Sequence, residues 1–75
     1  MESITDLNRA IDRIRCAFQD SNWIKMKPEV RNYILWDTQK ILELEDVDRD
    51  TKEILKKERQ EAIALIRKRI LNALL

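Results

Sequence analysis

Apolar side chains recur every three or four positions in three stretches of the chain, and they nowhere alternate with period two. This spacing places them on one side of an α-helix, whereas a half-buried strand requires strict alternation. The chain also has no glycine and one proline, so it lacks the residues that tight β-hairpin turns favour. The pattern therefore predicts an all-α protein, a small three-helix bundle with two shorter helices and a long C-terminal helix.

Local signals at the helix ends set the predicted boundaries. Ser3 and Asp50 are suitable N-caps, because their side chains can accept a hydrogen bond from the amide groups of a first turn. Pro28 suits the first turn of the second helix, where its missing N–H group loses no partner. The first helix is expected to stop near Asn22, which can adopt the left-handed conformation that ends many helices. The single predicted domain, residues 1–75, has helices at about residues 3–20, 28–45 and 51–74.

Two charged residues interrupt the apolar sides of the second and third helices. At about 100° per residue, Asp37 falls among Val30, Ile34 and Ile41, and Arg59 falls in the apolar sector of the third helix. An antiparallel hairpin would place positions 37 and 59 at the same level, and a buried carboxylate requires a partner. The sequence therefore predicts a structural Asp37–Arg59 ion pair that fixes the register of the two helices. A ligand-binding or catalytic Asp37 is the weaker alternative.

Trp36 points to the polar side of the second helix, so a lone bundle would leave it largely exposed. Tryptophan is enriched among the residues that contribute most to binding at protein interfaces. Contact with another chain is therefore predicted for Trp36. The alternative is that the apolar segment Trp23-Ile24-Lys25-Met26, expected to be a loop, folds over its ring.

The last turns of the third helix are the most apolar part of the chain and extend beyond the other helices. At about 1.5 Å per residue, residues 51–74 span roughly 36 Å, against roughly 27 Å for residues 28–45. Exposed apolar surface of this kind marks an association site, and a twofold dimer is the commonest closed assembly. We therefore expect a homodimer or a larger symmetric oligomer. Its predicted interface includes Ile70, Leu71, Leu74 and Leu75.

Charge is divided unevenly along the chain, although the formal net charge is only +1. Residues 29–50 carry seven acids and three bases, and residues 51–75 carry seven bases and three acids. Antiparallel packing of the second helix on the third would bring these opposite signs together. Intramolecular complementarity is therefore the expected role of the charges, and no external polyanion is required.

The chain offers few groups for chemistry. It has no histidine, the commonest general base and zinc ligand, and its one cysteine, Cys16, cannot form a thiolate cluster. Asp46, Asp48 and Asp50 have the spacing of the start of a calcium loop, but Lys57 stands where the loop requires glutamate. We therefore expect no catalytic residue, no metal and no cofactor.

These observations predict a small non-enzymatic helical protein–protein interaction module, a regulator, adaptor or inhibitor that docks on a larger macromolecule and forms homo-oligomers. The alternative is a nucleic-acid-binding regulator that builds a basic face from the third helix across a dimer. A membrane-surface role for residues 62–75 is the least favoured. One cysteine, no signal-peptide pattern and no membrane-spanning apolar run indicate the cytoplasm, or the host cytoplasm for a phage or viral chain.

Overall fold

A computed structural model describes residues 4–75, with side-chain burial from residue 6 onward. The described chain is helical and contains no strand, which confirms the all-α prediction. It has four helices where three were expected, because the segment after the first helix forms a short helix of its own. The predicted cap at Ser3 lies outside the described residues. The helices are α1 (Ile4–Ala17), α2 (Asp20–Lys25), α3 (Pro28–Leu42) and α4 (Arg49–Leu74).

Helix α1 presents the predicted apolar stripe to the core, with Ile11 and Ile14 buried along it. The helix ends at Ala17, earlier than expected, because the chain turns there and begins α2 at Asp20. Asn22 does not adopt a left-handed conformation, and no residue of the described chain has a positive φ. Its side-chain amide instead donates to the Cys16 carbonyl at 3.0 Å. The Asn22 side chain thus satisfies a backbone carbonyl at the end of α1.

Helix α2 is six residues long and is held by tertiary contacts, since an isolated helix of this length is unstable in water. Trp23 is 1% exposed and packs edge-on against Phe18, with 5.1 Å between the ring centroids. The Trp23 indole Nε1 donates to the Ala62 carbonyl of α4 at 3.0 Å. Arg31 of α3 donates to the carbonyls at the end of α2, including those of Trp23 and Ile24. The expected loop is therefore a helix fastened to both neighbours.

Helix α3 begins at Pro28 as predicted, but its buried side is rotated from the expected one. Thr38 is 0% exposed and Ile41 is buried, whereas Val30 and Tyr33, assigned to the core by periodicity, are exposed. Thr38 can occupy the core because its hydroxyl donates to the Ile34 carbonyl of its own helix at 2.7 Å. The helix ends at Leu42.

Helix α4 is the long element of the fold and packs against α2 and α3. It begins at Arg49, and its N-cap is Asp48 instead of the predicted Asp50: the Asp48 carboxylate accepts from the Thr51 amide at 3.2 Å. Leu55 and Ala62 are its buried residues. An ion pair between Arg15 of α1 and Glu58, 2.7 Å apart, joins α1 to this helix.

One apolar core lies where α1, α2, α3 and the first half of α4 meet. The molecule is elongated, 47 × 21 × 17 Å, because the 26 residues of α4 extend beyond the 15 residues of α3. The second half of α4 therefore has neighbours on one side only. The buried apolar residues of the core cluster are Ile11, Ile14, Phe18, Trp23, Ile41, Val47, Leu55 and Ala62.

Candidate protein interface

The seam between α3 and α4 opens into an apolar groove towards the end of α4. The groove has a volume of about 430 Å³, and the buried Trp23 is among its lining residues. The start of α3 forms one wall, the second half of α4 forms the other, and most of the exposed lining is carbon. Its other lining residues are Pro28, Arg31, Asn32, Leu35, Ile63, Ile66, Arg67, Ile70 and Leu71.

Arg59 crosses this seam, but it does not meet Asp37. Its Nε donates to the Leu35 carbonyl at 3.1 Å, and the described residues contain no Asp37–Arg59 ion pair. The predicted position of Arg59 along the axis of α3 is nearly right. The predicted direction across α3 is wrong, because the side chains of residues 35 and 37 point about 200° apart on a helix. Leu35 is on the side towards α4, and Asp37 is on the side towards α1.

Asp37 is half-buried in a shallow groove between α1 and α3. Arg13 and Tyr33 line the same groove, together with the apolar side chains of Ile14 and Ile41. The carboxylate therefore lies at a boundary that reaches solvent, which removes the need for a buried partner.

The same seam becomes basic towards the start of α4. Arg49, Lys52, Lys56 and Arg59 line it there, and Glu53 is the single acid among the lining residues. The sequence did not reveal this strip because the third helix was predicted to begin at residue 51, which leaves Arg49 outside it. The intervals of three, four and three residues from 49 to 59 place all four on one side of a helix.

Trp36 is 56% exposed on the outer side of α3. Its ring lies 6.3 Å from that of Tyr33, and the Lys40 ammonium lies 4.6 Å from its centroid. The segment Trp23–Met26 does not cover it, because Trp23 is turned inward against α4. Trp36 follows Asn32 by one turn, so it extends the rim of the apolar groove along the outer surface of α3. Its contact with another chain remains a prediction.

The four residues predicted for an interface at the end of α4 are all exposed. Leu74 is 77% exposed and Leu75 is 103% exposed, the two highest values among the large apolar side chains. Ile70 and Leu71 are also exposed and, in addition, line the apolar groove. The structure thus joins the end of α4 and the groove into one continuous apolar surface.

The accessible surface of the chain is large for its mass. It amounts to 6111 Å² for 9.0 kDa, whereas a compact monomer of that mass exposes about 4,900 Å². The excess, about 1,200 Å², is larger than the roughly 800 Å² that each partner loses in an ordinary protein–protein interface.

The opposite charges of α3 and α4 do not form ion pairs with each other. The ion pair Arg15–Glu58 joins α1 to α4 instead. Intramolecular complementarity, expected from the sequence, is therefore not realised as direct contacts between α3 and α4. Exposed charges of both helices, such as Glu29 of α3 and Lys56 and Arg67 of α4, remain available to other molecules.

No protein-family model, curated protein or solved structure matches this chain. None of the helices in residues 4–75 combines the length and apolar character needed to cross a membrane. The described residues also hold no group of three or more His, Cys, Asp or Glu side chains placed to bind a metal ion.

Proposed function

We propose that this protein is a non-enzymatic helical interaction module that self-associates and docks on another protein as a regulator, adaptor or inhibitor. The observation that carries the proposal is the continuous apolar surface formed by the groove and the exposed end of α4. Surfaces of this kind on small proteins mark sites of association. The excess of accessible surface supports the same conclusion, since an interface of ordinary size would remove about 800 Å² of it.

The test of self-association is the double variant Leu71→Glu/Leu74→Glu. Both side chains are exposed, so charge at these positions should leave the monomer folded and oppose burial of the surface between chains. Light scattering on the wild type should give the mass of a dimer or larger oligomer, and on the variant a smaller mass at equal far-UV circular dichroism.

The control for this variant is Lys57→Glu/Ala64→Glu, which adds two acids to exposed positions of α4 away from the apolar groove. This control should keep the oligomer of the wild type. A wild type that is monomeric at the highest attainable concentration would contradict self-association.

A nucleic-acid-binding regulator is the second candidate, and the basic strip of Arg49, Lys52, Lys56 and Arg59 is the observation that favours it. Binding of this kind releases counterions and therefore weakens steeply as salt is raised. Retention of the protein on immobilised DNA or RNA at low salt, lost at high salt and in a Lys52→Glu/Lys56→Glu variant, would support it. No retention at low salt would eliminate it.

A further inference from the structure

Glu29 at the start of α3, Glu43 directly after its end and several bases of α4 lie on one outer surface of the molecule. We call this surface the α3–α4 face: the sides of α3 and α4 that border their common seam and point away from α1. It carries Glu29, Asn32 and Trp36 of α3 with Glu43 at the C-cap of that helix, and it carries Lys56, Ile63, Arg67 and Leu71 of α4. Apart from the half-buried Ile63, all of these side chains are exposed.

We infer that a second copy of this chain covers the α3–α4 face, with α3 of each copy lying over α4 of the other. This inference rests on the proposed self-association and specifies its geometry. The required symmetry is a twofold axis parallel to the helices, between the two faces. Such an axis exchanges the lateral positions of α3 and α4 and keeps every residue at its own level along the helices.

The level of each residue follows from contacts within one chain. Arg59 reaches the Leu35 carbonyl, and the apolar groove brings residues 28–35 of α3 beside residues 63–71 of α4. Because both helices rise equally per residue, position 29 is level with about position 67, and position 43 with about positions 52–56. In the dimer Glu29 therefore faces Arg67 of the second copy, and Glu43 faces its basic strip.

Apolar side chains match at the levels between these charges. Trp36 is level with about positions 60–63, so its exposed ring covers Ile63 of the second copy. Beyond the Glu29 level, at the end of the interface, Pro28 is level with about positions 68–71 and meets Leu71. The interface thus has an apolar centre with charges towards both ends, as in protein interfaces generally.

Charge decides against the other twofold arrangement, in which α3 lies over α3 and α4 over α4. That arrangement opposes the basic residues of the two α4 helices, and like charges brought together across an interface are strongly unfavourable. The α3–α4 face also carries two residues whose charge is opposite in sign to the charges around them. Lys40 lies at its edge against the Trp36 ring, and Glu53 stands between Lys52 and Lys56.

The test reverses the charges on each helix separately. Glu29→Lys/Glu43→Lys makes the α3 side basic, and Lys56→Glu/Arg67→Glu makes the α4 side acidic. In the inferred dimer each variant opposes like charges in both halves, so its dimer dissociation constant in sedimentation velocity should rise roughly tenfold or more. An equimolar mixture of the two variants restores opposite charges in both halves and should form a heterodimer of near wild-type affinity.

The controls distinguish the effect of charge at the α3–α4 face on dimerisation from the effect of total net charge. Asp12→Lys/Glu61→Lys and Arg9→Glu/Lys25→Glu make the same changes in net charge at exposed residues away from the α3–α4 face, and both should dimerise as the wild type does. Far-UV circular dichroism checks the fold of every variant. If Glu29→Lys/Glu43→Lys loses helicity, Glu29→Gln/Glu43→Gln replaces it and should weaken the dimer less.

Two results would overturn the inference in different ways. A wild type that stays monomeric removes the proposed self-association together with this geometry. A wild-type dimer whose affinity is unchanged in both reversed variants removes this geometry alone, because packing of α3 on α3 is indifferent to reversing both of its copies. The single chain carrying all four reversals should dimerise like the wild type, and only packing of α3 over α4 predicts this recovery together with a weaker dimer in each double variant.

Discussion

Arg59 is a charged residue whose partner is a backbone carbonyl. Its Nε–H group donates to the Leu35 oxygen across the α3–α4 seam, and a hydrogen bond from a charged donor contributes more to stability than a neutral one. The periodicity of the sequence correctly predicted that Arg59 points towards α3. It did not reveal the acceptor, because every residue has a carbonyl and its direction depends on the rotation of α3.

Asp37 and Arg59 should therefore contribute to stability independently. We expect Arg59→Met to lower the free energy of unfolding by about 1–3 kcal/mol, since the bond to Leu35 is lost. Asp37→Asn should change it by less than about 1 kcal/mol, because Asp37 is only half-buried. The double variant in urea unfolding should show the sum of the two changes. A coupling energy above about 1 kcal/mol between the two substitutions would show instead that Asp37 and Arg59 form an ion pair.

At the scale of the elements, α3 shows how polar residues can conceal the buried side of a helix. Thr38 is in the core and Arg31 is half-buried beside α2, yet both reduce the apolar signal on that side. Each is satisfied by backbone carbonyls, Thr38 within its own helix and Arg31 at the end of α2. The periodicity therefore indicated a side rotated towards Val30 and Tyr33. The exposure of the residues predicted for an interface was easier to foresee, because it follows from the length of α4.

Helix α2 escaped sequence prediction because six residues are fewer than two turns. Periodicity needs a longer window to show one apolar side, and the cap at the start of α2 has no side-chain hydrogen bond. What stabilises this segment as a helix lies outside it: Trp23 donates to the Ala62 carbonyl of α4, and Arg31 of α3 donates to carbonyls at its end.

Arg31→Ala should consequently loosen α2 before it affects the rest of the fold. The variant loses the donor that satisfies the terminal carbonyls of α2, and we expect a loss of about 1–3 kcal/mol in unfolding free energy. Hydrogen exchange should become faster in the amides of residues 20–26 than in those of α4. Arg9→Ala, a change at an exposed arginine of α1, is the matched control. Equal acceleration throughout the chain would show that Arg31 supports the whole core instead.

At the scale of the whole molecule, the small core and the long α4 belong together. A chain of 75 residues buries a smaller share of its surface than larger domains do, and α4 extends past the core that it helps to form. Covering the α3–α4 face with a second copy would supply the missing neighbours along α4. Stability would then depend on protein concentration, as it does for any fold completed by association.

The contrasting surroundings of the two tryptophans have a spectroscopic consequence. Trp23 is enclosed and Trp36 faces solvent, so iodide in solution can quench the fluorescence of the second and not of the first. In a Trp36→Phe variant, emission would report only the docking of α2 on α4. In a Trp23→Phe variant, emission would follow whatever covers the outer surface of α3. Folding and recognition in this molecule can thus be observed as separate optical signals.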